Sequence, residues 1–98
     1  MKIRYSRRAT RDLEAIHEYL IHRSPKGATN VLTEIYASME FIRRHPEATQ
    51  ATTVPGVHGM IVRRYHFKIF YRILEADSVI EIIHVRHTSR HSWPGEDR

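Results

Sequence analysis

The ten residues from His84 to Trp93 hold three histidines, two arginines and one tryptophan, with no acid among them. Arginine carries a planar fork that matches phosphates and carboxylates. Histidine gains charge in a mildly acidic setting. A metal site, a catalytic cluster and a contact surface are the chemistries such a block could serve. The spacing His84-x2-His87-x3-His91 offers zinc-type ligands, but His84 and His87 point to opposite faces if the strand before them continues, and no acid ligand lies nearby. Hydrogen-bonded or solvated histidines are the better reading, so no metal and no cofactor is expected. The four glycines are scattered and make no phosphate loop, and no nucleophile-elbow pattern is present.

The remaining chemistry is basic. Arg63, Arg64, Lys68, Arg72, Arg86 and Arg90 fall on or beside strand-like runs, with Trp93 following. Lys68 and Arg72 share a face by alternation, and Arg86 lies two residues beyond His84 on one side. A face carrying Lys68, Arg72 and Arg86 would be a compact basic patch, able to bind phosphate or stabilise a transition state. The plain alternative is ordinary solvent-facing strand residues. Tyr36, Phe41 and Tyr65 interrupt otherwise polar faces; they widen the core contact or leave an exposed apolar groove for a partner, and the first is favoured.

The elements that must position these residues can be read in order. Lys2 to Tyr5 alternates as a short strand. Ser6 is placed to cap a helix whose stripe is Ala9, Leu13, Ile16 and Leu20, with Arg8, Arg11, Asp12, Glu14 and Glu18 on much of the remainder. Ser24-Pro25 ends that helix and starts another, with Ser as N-cap and Pro at the first helical position. Ala28, Leu32, Ile35, Met39 and Ile42 repeat the stripe, and Pro46 stops it. The short link makes an antiparallel helical hairpin. Residues 48–58 read as a loop. The period then becomes two over 59–65, 66–74 and 79–86, a meander turned by Glu75-Ala76-Asp77-Ser78. In the last strand, strict alternation puts Ile80, Ile82 and His84 on one face and Val79, Glu81, Ile83 and Val85 on the other. The fold class is α+β: an N-terminal strand and an antiparallel helical hairpin packed on a small antiparallel β-sheet, with residues 2–5 added at an edge.

Composition fits one domain over residues 1–93 with a disordered tail at 94–98. Of the sixteen basic residues thirteen are arginine, and the net charge of +5 favours nucleic acid or an acidic protein partner. The chain has no cysteine, which removes disulfides and thiolate metal sites and suits a cytoplasmic location. No membrane span or export signal is expected.

With that order of elements in place, the chain resembles the RelE/ParE superfamily of toxins from type II toxin–antitoxin pairs. The matching residues are Ser6-x2-Ala9-x2-Asp12-Leu13-x2-Ile16-x2-Tyr19, the Pro46 helix stop, the strand Phe67 to Ile73 and the run Val79 to His87. The resemblance covers about Lys2 to Trp93. It implies one of two activities. RelE-like members cut mRNA at the ribosome with basic sheet residues and a C-terminal Arg and Tyr; ParE-like members inhibit DNA gyrase and are neutralised by an antitoxin. Against the nuclease pattern, Lys68 fills the strand position, but the lysine pair falls at Gly59 and Ile61. The catalytic arginine falls near Thr88, between Arg86 and Arg90, and the tyrosine falls near Trp93, whose indole only donates. The resemblance therefore implies a ParE-like binding toxin rather than an enzyme, with a ParD-like antitoxin and DNA gyrase as partners and nucleic acid met only indirectly. Arg63, Arg64, Lys68, Arg72, Arg86, Arg90 and Trp93 are the expected target contacts, and Leu13, Tyr19, Tyr36 and Phe41 the antitoxin contacts. The alternative is a ribosome-dependent endonuclease with a variant set of Lys68, Arg86, His87 and Arg90, in which a histidine serves as base. A plain nucleic-acid-binding module is a third class, with Tyr65, Phe70 and Trp93 for stacking.

Overall fold

The computed structural model describes residues 1–62 and 64–88. Its order is β1 (Lys2–Tyr5), α1 (Arg7–Ile21), α2 (Pro25–Arg44), β2 (Gln50–Ala51), β3 (Val57–Val62), β4 (Phe67–Leu74), a 3-10 turn (Glu75–Asp77) and β5 (Val79–His87). The sheet runs β1-β5-β4-β3-β2. The meander is antiparallel as expected, and β1 joins the β5 edge in parallel, with Lys2 opposite Val79 and Tyr5 opposite Ile82.

Both helices start where their caps predict. Ser6 Oγ accepts from the Ala9 amide, and Ser24 Oγ accepts from the Gly27 amide, each at 3.0 Å. Such a cap contributes about 1 kcal/mol. Ala9 and Leu13 of α1 and Ala28, Val31, Ile35, Met39 and Ile42 of α2 are buried. They cover a sheet face formed by Val62, Phe67, Ile69, Tyr71, Ile80, Ile82 and Val85. Tyr71 is the polar exception in that layer. Its hydroxyl donates to the Pro46 carbonyl at 2.6 Å and meets the Thr49 hydroxyl, so it pins the chain that leaves α2.

The loop expected over 48–58 is shorter. Gln50 and Ala51 pair with Gly59 and His58, and β3 begins at Val57. A two-residue strand with both side chains exposed carries no alternation to detect.

The alternation expected along β5 is broken. Phe70 faces His84 while the next residue, Tyr71, faces Ile82, so Ile83 is an extra residue in a β-bulge. Ile80 and Ile82 lie under the helices, and beyond the bulge Val85 takes over that row. His84 therefore does not continue the Ile80–Ile82 row: it and Arg86 turn to the opposite face, beside Phe70 and Lys68.

The two turns of the meander hold all the non-glycine residues with positive φ among those described. These are Arg64 (80°) and His66 (60°) between β3 and β4, and Ser78 (54°) before β5. Each costs roughly 1–2 kcal/mol relative to glycine.

Candidate contact surfaces on the sheet face and the helical hairpin

The sheet face away from the helices is organised around Phe70. The ring stacks on His84 with centroids 5.7 Å apart and 15° between planes. Lys68 Nζ stands 5.2 Å from the ring centroid and Arg86 Cζ 6.0 Å from it, within cation–π range. Lys68 and Arg86 are directly opposed across β4 and β5. Gly59 makes room for the lysine: a Cβ there would lie 2.9 Å from Lys68 Cε. Arg86 Nη1 donates to the His87 carbonyl at 2.8 Å.

The basic patch expected from Lys68, Arg72 and Arg86 is thus divided. Lys68 and Arg86 are not solvent-facing: each keeps under a tenth of its surface exposed, 7% and 8%. Burial penalises the charged guanidinium and pulls the Arg86 pKa below the usual arginine value. Arg72 remains exposed but is held by Glu81 at 2.8 Å, and Glu81 also meets Arg4 at 3.5 Å.

His84 belongs to a second arrangement that sequence reading missed. Beyond Tyr5, β1 gives way to α1, and the outer edge of β5 loses its strand neighbour. Side chains from the start of α1 take the place of the missing ladder. Ser6 Oγ donates to the Ile83 carbonyl at 3.1 Å, and the Asp12 carboxylate accepts from the Val85 amide at 2.9 Å. The same carboxylate oxygen lies 2.7 Å from His84 Nδ1, which must carry a proton to make that bond. Arg8 Nε is 3.2 Å from the same nitrogen. A protonated nitrogen has no lone pair to offer, so Arg8 acts there as a neighbouring charge and not as a donor. Asp12, read from sequence as part of the polar side of α1, is instead turned inward to β5. No local signal marks it, because periodicity assigns a polar residue of an amphipathic helix to the outer side.

The hairpin presents another surface. A groove of about 420 Å³ is lined by Tyr5, Thr10, Leu13, Glu14, His17, Leu32 and Tyr36. A second of about 450 Å³ adjoins it through His17, Leu32 and Tyr36. Tyr5 donates its hydroxyl to Met39 Sδ at 3.7 Å, and burial followed by the proximity of Tyr36 raises its pKa. Of the four expected antitoxin contacts, Leu13 is a buried core residue that forms part of the groove floor, and Tyr36 lines the groove in the open. Tyr19 and Phe41 are exposed elsewhere, one under Arg23 and the other against His45. Tyr36 and Phe41 therefore do not widen the core as favoured from sequence; both stay about half exposed. Tyr65 is half-buried against the core.

Arg64 is exposed at the β3–β4 turn, and His87 packs edge-on to Phe67 at 5.2 Å on the helix side of the sheet. Arg63, Arg90, His91 and Trp93, and the tail at 94–98, lie outside the described residues. Among the described residues no group of three or more His, Asp or Glu could hold a metal ion, and no helix is long and apolar enough to cross a membrane.

This architecture recurs among solved toxin–antitoxin structures. The chain is similar to a chain of the chromosomal ParDE system from P. aeruginosa, at 22% identity and TM-score 0.76, covering 89% of this chain and 95% of that one. It is also similar to the intact E. coli RelBE toxin–antitoxin complex (15% identity, TM-score 0.69, covering 91% of this chain and 98% of that one). The isolated E. coli RelE toxin matches at 15% identity and TM-score 0.69, covering 93% and 87%. These likenesses define the class, a RelE/ParE-like α+β fold. A search of curated proteins gave no match. The family model for the ParE toxin of the type II toxin–antitoxin system parDE matches residues 3–92, and the chain belongs to that family.

Proposed function

We propose that the chain acts by binding, as a ParE-like toxin that inhibits DNA gyrase in the cytoplasm, and that a cognate antitoxin neutralises it. The observation that carries this reading is the composition of the sheet face. At the two positions where the nuclease pattern asks for lysines stand Gly59, covered by the Lys68 stem, and Ile61, 57% exposed. Those two positions therefore offer no cation to a scissile phosphate. The membership in the ParE family supports the same conclusion. Lys68, Arg72, Arg86 and Arg64, with Arg63, Arg90 and Trp93, remain the proposed target contacts. The antitoxin segment is proposed to lie along the hairpin groove, against Leu13 and Tyr36, and to reach Tyr19 and Phe41. An acidic antitoxin suits a chain of net charge +5.

One observation favours the endonuclease alternative. The Asp12–His84 pair orients an imidazole beside Lys68 and Arg86, the kind of grouping that a 2′-hydroxyl-activating base requires. But His84 lies flat on Phe70 with 5% of its surface exposed, which leaves no room for a ribose at the ring. The deciding experiment is a gyrase supercoiling assay in parallel with a ribosome-dependent mRNA cleavage assay. Inhibition with accumulated cleaved DNA and intact mRNA is expected. Cleaved mRNA with unaffected gyrase overturns the reading.

A further inference from the structure

The turn between β3 and β4 departs from what folding alone would choose. Within three positions it holds Arg64 and His66 in the left-handed region, where a Cβ crowds the adjacent carbonyl and glycine is favoured. Histidine is tolerated there more readily than most residues, so Arg64 is the sharper departure. The turn is not free to relax, because the His66 carbonyl accepts from the Thr88 amide at 2.7 Å and is thereby tied to the end of β5. Both side chains are exposed, and among the described residues no carboxylate pairs with either. Ile61, three residues before Arg64, is the most exposed of the large apolar side chains among the described residues.

Ser78 provides the contrast. It too has a positive φ and a backbone tied into the fold, its amide bonded to the Glu75 carbonyl and its carbonyl accepting from the Lys2 amide, but its side chain is small. At 64 and 66 the φ values suit glycine, yet an exposed guanidinium and an exposed imidazole, the latter 6.3 Å from the His87 ring, stand there instead. A large side chain kept at a φ that favours glycine points to a use beyond folding. An exposed isoleucine three residues from an exposed arginine at one end of a hairpin is the composition of a protein-binding patch, in which apolar contact and arginine carry the energy; a phosphate track needs no isoleucine.

We propose that the tip of the β3–β4 hairpin, through Ile61, Arg64 and His66, is the surface that grips the toxin's protein target, at an acidic patch with an apolar centre. This rests on the reading of the chain as a binding toxin and goes beyond it by assigning the contact to the hairpin tip. The tip shares no residue with the hairpin groove proposed for the antitoxin.

The test is the double variant Arg64→Gly/His66→Gly, with Ile61→Ser as a second probe and Ser78→Gly as a control. Thermal unfolding, growth arrest on induction and binding to purified DNA gyrase are measured for each. Relief of strain at two positions, partly offset by the freedom that two glycines add to the unfolded chain, should raise Tm of the double variant by roughly 4–8 °C. It should also lose growth arrest and weaken gyrase binding by about tenfold or more. Ile61→Ser should lose activity at unchanged Tm, and Ser78→Gly should keep full activity. A double variant with full activity overturns the proposal, as does a loss of activity that tracks a fall in Tm. Growth arrest without gyrase binding in the native chain, lost in the double variant, would overturn the gyrase target and leave the hairpin surface standing. Salt-sensitive binding of the native chain to a bare DNA duplex, lost in the double variant, would overturn the protein partner in favour of nucleic acid. A native chain that neither arrests growth nor binds gyrase overturns both readings.

Discussion

Phe70 and Tyr71 are neighbours in β4, and both are completely buried, but they anchor opposite faces of the sheet with opposite company. Tyr71 faces the helices. Around it the layer is mostly apolar, the His58 ring stacks on the Tyr71 ring with centroids 5.2 Å apart, and the tyrosine hydroxyl is satisfied by the Pro46 carbonyl and Thr49 hydroxyl. Phe70 faces away from the helices, between Lys68, Arg86 and an imidazole oriented by Asp12. The first face is built mostly as a core normally is, from apolar area with its tyrosine hydroxyl paired, while the buried Nδ1 of His58 has no hydrogen-bond partner among the described residues. The second places two cations around an aromatic ring, an arrangement with a desolvation cost that folding could have avoided with apolar residues. The first face stores stability, and the composition of the second suits the contact surface proposed above.

The strongest way to break that division is on the helix-covered face. Ile82→Ala removes a fully buried side chain below both helices and should cost about 4 kcal/mol, read as a lower midpoint in urea unfolding. A loss under about 1 kcal/mol would mean that this face is not the main store of stability.

Asp12→Ala tests the link between the faces, and a somewhat smaller effect is expected. It leaves the Val85 amide and the His84 Nδ1 proton without their acceptor, at about 3 kcal/mol for the two together. Asp12→Asn keeps one acceptor and should recover part of that. Equal losses for the two variants would show that the carboxylate's charge matters more than its hydrogen bonds.

Tyr71→Phe probes the polar exception in the core. Removing the hydroxyl strands the Pro46 carbonyl and should cost about 1–2 kcal/mol. The pH dependence has a definite sign. Burial raises the Tyr71 pKa, against the Thr49 hydrogen bond that lowers it. An acid whose folded pKa lies above its unfolded value of about 10 stabilises the fold fully below that pH, and the contribution is lost as pH rises through the folded pKa. Alkaline unfolding followed by tyrosinate absorbance should therefore show a steep limb above about pH 10 that flattens in Tyr71→Phe. Tyr5, also raised by burial, contributes in the same direction and remains in the variant, so the limb should shrink and not vanish.

The helix-covered face was largely legible in the sequence, because its signals are periodic. Ser6 and Ser24-Pro25 announce the two helix starts, and the stripes ending at Leu20 and Ile42 announce what the helices bury. The opposite face was legible in residue type and not in geometry. Strict alternation from Ile80 would carry His84 and Arg86 under the helices, into the apolar cluster. The extra residue at Ile83 resolves that conflict, and the adjacent isoleucines 82 and 83 followed by Val85 are the trace it leaves in sequence. Asp12 escaped because periodicity scores a polar residue on an amphipathic helix as outward. Nothing local reveals that β1 ends opposite Ile82 and leaves the Val85 amide to be met by a side chain from α1. Lys68 was read as exposed because a lysine in a strand usually is, and only the pairing of Gly59 with Phe70 shows the slot in which its stem lies.

That slot gives the finest test. Gly59→Ala would put a methyl group 2.9 Å from Lys68 Cε, too close to stand without movement, but the neighbour is the far end of a flexible side chain. The lysine can lift away, so the stability change should stay within about 1 kcal/mol. What must change is the position of the ammonium over Phe70, now 5.2 Å from its centroid. If the cationic face is kept for contact with a target, Gly59→Ala should reduce growth arrest while the unfolding midpoint hardly moves. If Lys68 serves only to complete the fold, activity should follow stability, and both should stay near the native values. The substitution leaves charge and composition otherwise untouched, so it separates the position of one buried cation from its presence.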